Sequence, residues 1–142
     1  MGKVLSDHER DRVNKEFEKF KRTRFKGSDY QRIFDNEAAI YKLFNNKALK
    51  LYAEYVRYFV MMVKDYFTKK YREIPYGTIA AIVGTLLYVL SPIDIIPDVI
   101  PAVGLVDDAA IVALCVGGVA LDVERYREWK NNQAEIDDMY SE

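Results

Sequence analysis

A single cysteine and a single histidine in 142 residues remove several chemistries at once. One cysteine cannot close an internal disulfide, and one Cys with one His cannot supply the ligands of a structural zinc site. The histidine, His8, falls in a charged terminal stretch, so a Ser or Cys nucleophile elsewhere has no base beside it in the sequence. No Gly-rich phosphate loop is present. The opening MGKVLSDHERDR lacks the apolar run of a secretory signal, and none is expected. Gly2 with Leu5-Ser6 fits a myristoylation pattern only loosely. Proline is scarce as well, with four in the chain, but three of them (Pro92, Pro97, Pro101) crowd into one short stretch.

What the chain does have is apolar residues, 50% of the total, alongside 30% charged ones. That composition excludes a disordered chain and a simple set of spanning helices. At this length one domain with a buried core is expected. The net charge of −1 conceals a division: residues 1–72 carry 18 Lys/Arg against 10 Asp/Glu, and residues 73–142 carry 3 against 12. The simpler reading is two halves that attract each other, and the alternative is a basic half facing phosphates.

Hydropathy patterning points to helices throughout. Ser6-Asp7-His8-Glu9 has the form of a capping box, and Val13, Phe17 and Phe20 then recur as a narrow apolar stripe until Gly27-Ser28. The basic cluster Lys21, Arg22, Arg24, Lys26 sits in the last turns, where the helix dipole favours it. Interleaved acids and a pI of about 5.9 argue against nucleic acid as a partner. A second helix is expected from about 31 to 44 with Ile33, Ile40, Leu43 and Phe44 inward, broken by Asn45-Asn46. The third, 47–71, shows the strongest amphipathic signal: Leu49, Tyr52, Val56, Phe59, Val60, Val63, Phe67 and Tyr71 step by three or four. Its lysine-rich polar face suits either a core helix or an anionic membrane surface.

From Ile74 to Leu90 runs a stretch of 17 residues without a charge, starting on Pro75 in a first helical turn. At about 1.5 Å per residue it reaches roughly 25 Å, short of a bilayer core of about 30 Å. A second apolar run, 109–121, is shorter still. Both are rich in small residues (Gly77, Ala80, Ala81 and Gly84; Ala110, Ala113, Gly117 and Ala120), a pattern that lets two helix backbones approach as a tight antiparallel hairpin. Cys115 reads as a small buried hydrophobe. Residues 123–142 return to polar helix around Tyr126 and Trp129 and then fray among acids.

The connection between the two runs is unusual. Ser91-Pro92-Ile93-Asp94 reads as a capping box, and Gly104 precedes Asp107-Asp108 where a cap and a first-turn acid belong. Only Asp98 lacks such a structural role. Yet Ile93, Ile95, Ile96, Val99, Ile100, Val103, Leu105 and Val106 make the connection as apolar as the helices, whereas loops are normally polar. It is expected to be buried, embedded in a membrane or a contact surface. Carboxylates in such surroundings must be hydrogen-bonded, paired, protonated or bound to a cation.

The set Ser91, Pro92, Asp94, Pro97, Asp98, Pro101, Gly104, Asp107 and Asp108 resembles the signature of the YkvA-like family, the domain of unknown function 1232. The resemblance covers 35–40 residues from near Thr85 and leaves residues 1–70 outside it. It implies a small helical hairpin, often membrane-associated, with no catalytic residues to carry over.

The expected fold is all-α, with basic amphipathic helices over 1–72, a hydrophobic helical hairpin over 73–122 and a polar acidic tail over 123–142, in one compact unit. The expected function is a membrane-associated anchoring or interaction module without catalytic activity. Basic residues on both flanks of the hairpin (Lys69, Lys70, Arg72; Arg125, Arg127, Lys130) put both termini in the cytoplasm by the positive-inside tendency. The alternative is a soluble cytoplasmic bundle whose Asp94, Asp98, Asp107 and Asp108 bind a divalent cation; hard oxygen ligands suit Mg²⁺ or Ca²⁺, and no other cofactor is implied. A membrane is the expected partner, with a protein or a second copy as further candidates. Asp94→Ala or Asp107→Ala is expected to lower the melting stability by about 1 kcal/mol or more through a lost cap; unchanged melting of both variants would show that these acids are not structural.

Overall fold

A computed structural model describes residues 7–45, 49–90 and 108–140, with Asp108 as backbone only. Six α-helices follow in order: α1 (Asp7–Arg22), α2 (Gly27–Asp35), α3 (Glu37–Leu43), α4 (Ala53–Phe67), α5 (Tyr76–Leu90) and α6 (Asp108–Tyr140), with a 3-10 turn at Lys50–Tyr52 before α4. The chain is all-α, and no strand occurs among the described residues.

The apolar pattern of α5 dictates its place. Every residue from Ile79 to Val89 is buried, because a helix apolar on all sides must be covered on all sides. α1, α2, α3, α4 and α6 all pack against it. The amphipathic stripes supply the cover: Val13, Phe17 and Phe20 from α1, Ile33 from α2, Ile40 from α3, and Val56, Phe59, Val60 and Val63 from α4 are buried in one core with it. α5 and α6 run antiparallel, with the Thr78 hydroxyl donating to Asp122 at 2.7 Å and Cys115 Sγ lying 3.9 Å from the Ala81 carbonyl.

Several boundaries differ from the sequence expectation, each for a local reason. α1 stops at Arg22, where the Thr23 hydroxyl turns back to the Lys19 carbonyl at 2.8 Å. Gly27 then opens α2 instead of ending α1, and the Asp29 carboxylate accepts the Lys26 backbone N–H at 2.8 Å. The single helix expected over 31–44 is two, broken at Asn36, whose side chain bonds the Arg32 carbonyl at 2.8 Å while its own carbonyl accepts Ile40 N–H at 2.9 Å. α4 ends at Phe67: Lys69 takes a left-handed φ of 68°, and the N–H groups of Lys70 and Tyr71 close on the Asp65 carbonyl at 2.8 and 3.1 Å. Phe67, expected inward, is 42% exposed. α6 is one continuous helix of 33 residues through Leu121 and the polar segment. Neither Gly nor Pro falls between Asp122 and Tyr140 to interrupt it.

The small residues of the two apolar runs do not all serve the α5–α6 contact. Gly84 faces α1: a Cβ there would lie 2.7 Å from the Phe20 Cβ and closer still to the root of its ring. Phe17 lies 3.6 Å from where a Gly118 Cβ would be. Because Phe20 is met near its backbone, it cannot swing clear. Gly84→Ala is therefore expected to destabilise the protein by about 1–3 kcal/mol, although Ala is the better helix former by about 1 kcal/mol. Gly117→Ala, with nothing within 4 Å of the added carbon, is expected to be stabilising by up to about 1 kcal/mol. Thermal melts of the two variants check the contrast, and equal effects would show that Phe20 does not constrain residue 84.

Candidate functional site

The connection that carries the sequence signature, 91–107, lies outside the described residues, and with it Ser91, Pro92, Asp94, Pro97, Asp98, Pro101, Gly104 and Asp107. Ser6, expected as the cap of α1, lies outside them too. Asp108 is the first residue of α6.

What is described is the end of the bundle from which the connection leaves and to which it returns. Leu90, the last residue of α5, lines one shallow depression with Ala39, Lys42 and Leu43 of α3. Ala110, Ala113 and Leu114 of α6 line another with Arg10, Val13 and Asn14 of α1. The first turns of α1 and the last turn of α3 thus flank the two ends of the connection. The outward face of α6 next to it is uncharged: Ala113, Gly117, Gly118, Ala120 and Leu121 are exposed, Leu121 by 76%.

The opposite end holds a polar network that the sequence reading missed. Asp65 on α4 is buried to 8% exposure, and its carboxylate accepts the Tyr126 hydroxyl at 2.5 Å and meets Lys130 Nζ at 3.4 Å. Tyr126 and Lys130 sit one turn apart on α6, so both reach the same carboxylate. Tyr71 and Trp129 close over it, with ring centroids 4.8 Å apart, and Tyr58 and Tyr71 meet Tyr126 edge-on at 6.4 and 5.2 Å. A buried carboxylate left alone would be costly, and this one has a donor and a cation. The available signal was Asp65 itself, an acid inside the apolar register of α4.

A second tie joins α3 to α4. Glu37 accepts Lys64 Nζ and the Tyr41 hydroxyl, each at 2.8 Å. The Lys64 bond is the main reason its carboxyl lies below the usual carboxylate range. Tyr76 makes a third tie, donating to the Thr23 carbonyl at 2.8 Å and accepting Phe25 N–H at 2.9 Å.

None of these groups forms a recognisable catalytic set. His8 is exposed on the first turn of α1. Cys115 is fully buried, and burial pushes its thiol up to about 12, so it remains an unreactive SH. Among the described residues, no group of three His, Cys, Asp or Glu could hold a metal ion, and no helix is long and apolar enough to cross a membrane.

The tyrosines make alkaline pH the informative variable. Burial first, then Glu37, pushes Tyr41 up to about 12. Burial also brings Tyr30 to about 12, and raises Tyr126 further with help from Asp65. In the unfolded chain a tyrosine ionises near 10. A phenol raised in the folded state contributes stability that is full below pH about 10 and is lost as pH rises above it. Part of the tyrosine absorbance change near 295 nm is therefore expected only as helical circular dichroism is lost. Tyr126→Phe should remove one delayed group and cost about 1.5–3 kcal/mol at neutral pH, because it strips a hydrogen bond from a charged acceptor. Complete ionisation before any loss of helix would contradict this.

Comparison with known proteins bears on the hairpin. Residues 78–114 match the family model described as a protein of unknown function, DUF1232. Over 88 residues, which are 62% of this chain and 83% of the relative, the sequence is 28% identical to the "Uncharacterized membrane protein YkvA" of Bacillus subtilis (strain 168). No solved structure matches. Residues 78–114, which run from α5 through the connection into the first two turns of α6, thus resemble the DUF1232 family.

Proposed function

We propose that this protein is a membrane-associated anchoring or interaction module, without catalytic activity, that meets lipid with one end and one flank of its bundle and does not span the bilayer. The observation that carries the reading is the exposed, uncharged face of α6 from Ala113 to Leu121. Soluble surfaces rarely leave such a strip uncovered unless something docks on it. The strip leads back toward the connection 91–107, whose sequence holds eight Ile, Leu and Val residues. α5, although the most apolar helix, is wrapped by five others and offers lipid nothing.

Two further facts support it. The relative's name describes a membrane protein. The basic residues flanking the hairpin, Lys69, Lys70 and Arg72 before and Arg125, Arg127 and Lys130 after, belong to the end away from the connection, and with no span the whole bundle, both termini included, stays on the cytoplasmic side. On this reading Asp94, Asp98, Asp107 and Asp108 cap and tie the embedded connection, and Gly104 with the three prolines shapes it. Unknown activity remains part of the reading, since the family's own description assigns none.

Flotation of the full-length protein with vesicles of phosphatidylethanolamine and phosphatidylglycerol tests it. The wild type is expected to float. Ala113→Glu with Leu121→Glu, both at exposed positions, should lower the bound fraction at least tenfold, since withdrawing one leucine from an apolar phase costs about 1.5–3 kcal/mol. Their melting curves should match the wild type. A wild-type protein that stays at the bottom of the gradient overturns the reading.

A further inference from the structure

The bundle end away from the connection gathers positive charge. The Tyr76 hydroxyl pins the turn 23–26 beside the start of α5, and the segment 68–75 enters α5 at the same end. These two stretches carry Arg24, Lys26, Lys69, Lys70 and Arg72 against Glu73, all exposed. Two of the guanidinium groups are propped on rings, Arg24 5.5 Å over Tyr76 and Arg72 4.3 Å over Tyr66. Phe67 is partly exposed at the end of α4.

Beyond this end α6 continues to Tyr140. Trp129 still leans on Tyr71, but from Asn131 to Tyr140 every residue is exposed except half-buried Gln133. These ten residues extend for roughly 15 Å at the α-helical rise. They include Glu135 and Asp137 and no base, and Ile136, Met139 and Tyr140 are 44%, 75% and 80% exposed. Several ion pairs among the described residues lie within one half of the chain. Lys15–Asp11, Lys21–Glu18 and Lys64–Glu37 lie within the first half, and Arg125–Asp122 and Arg127–Glu124 within the second. Lys130–Asp65 does cross, but joins a base of the acidic half to an acid of the basic one.

We propose that two copies of this chain associate through these ends, each laying its acidic arm, residues 131–140, on the basic end of the other. Arm and receptor leave the same end of one molecule, so a two-fold axis between the ends satisfies both contacts at once and closes the assembly at two. The arm's apolar residues then meet Phe67 and the stems of the lysines, while Glu135 and Asp137 face Lys69, Lys70 and their neighbours. This association is independent of the lipid reading, and its test contains no lipid.

Sedimentation equilibrium of the full-length chain is expected to show a monomer–dimer equilibrium that weakens with added salt, because exposed charges are screened. Glu135→Lys with Asp137→Lys should raise the dimer Kd at least tenfold, and so should Lys69→Glu with Lys70→Glu. An equimolar mixture of the two variants should dimerise again, since the reversed arm then finds the reversed end and the native arm the native end. A wild type that remains monomeric at low salt, a dimer indifferent to both reversals, or a mixture that stays monomeric would each overturn the proposal. Unchanged helical circular dichroism of the variants keeps a folding defect from imitating the expected result.

Discussion

A helix with no polar face cannot rest on a surface; it has to be enclosed. α5 is such a helix, and the rest of the bundle is arranged as its enclosure. Each covering helix has a stripe only wide enough to face inward: three residues on α1, and a broader band on α4. Most helical stability in proteins comes from such packing. The hydrophobic effect at α5 thus sets the order of importance. Burial of its side chains, at about 25 cal/mol per Å² of apolar surface, is the common gain that all the other helices share.

Close approach then sets the details. Gly84 lets the Phe20 ring sit against the α5 backbone, and Phe20 in turn meets the Tyr88 ring edge-on at 6.0 Å. With α1 drawn in this far, the connection between α1 and α2 comes within reach of Tyr76, whose hydroxyl holds it by two hydrogen bonds. A similar logic runs through α6, where Cys115 packs on α5 and Tyr126 reaches across to Asp65 of α4. The polar ties sit where apolar cover ends, so each satisfies a group that packing alone would leave buried and unpaired.

The sequence made the helices and their inward faces legible, since Val13, Phe17, Phe20, Ile33, Ile40, Val56 and Val63 are all buried where the period of 3.6 puts them. It was less informative about breaks. Asn36 and Lys69 carry no Gly or Pro signal, and both stop a helix through hydrogen bonds that only the folded chain displays. Small residues were read as an α5–α6 seam because spacing reports a face but not the neighbour; of these, Gly84 turned out to admit Phe20 of α1. Asp65 was missed because its partners are 61 and 65 positions away. At the candidate site the residue pattern identifies the family segment, while the geometry of 91–107 lies outside the described residues.

Enclosure also changes what the apolar composition means for a membrane. Uncharged runs such as 74–90 invite a spanning reading, yet the flanking helices occupy every side of α5. To expose α5 to lipid, α1 through α4 would have to peel away and the Gly84–Phe20 contact would be lost. The exposed face of α6 asks for no such rearrangement, because it is already uncharged and uncovered. A contact through that face leaves the enclosure of α5 as it stands.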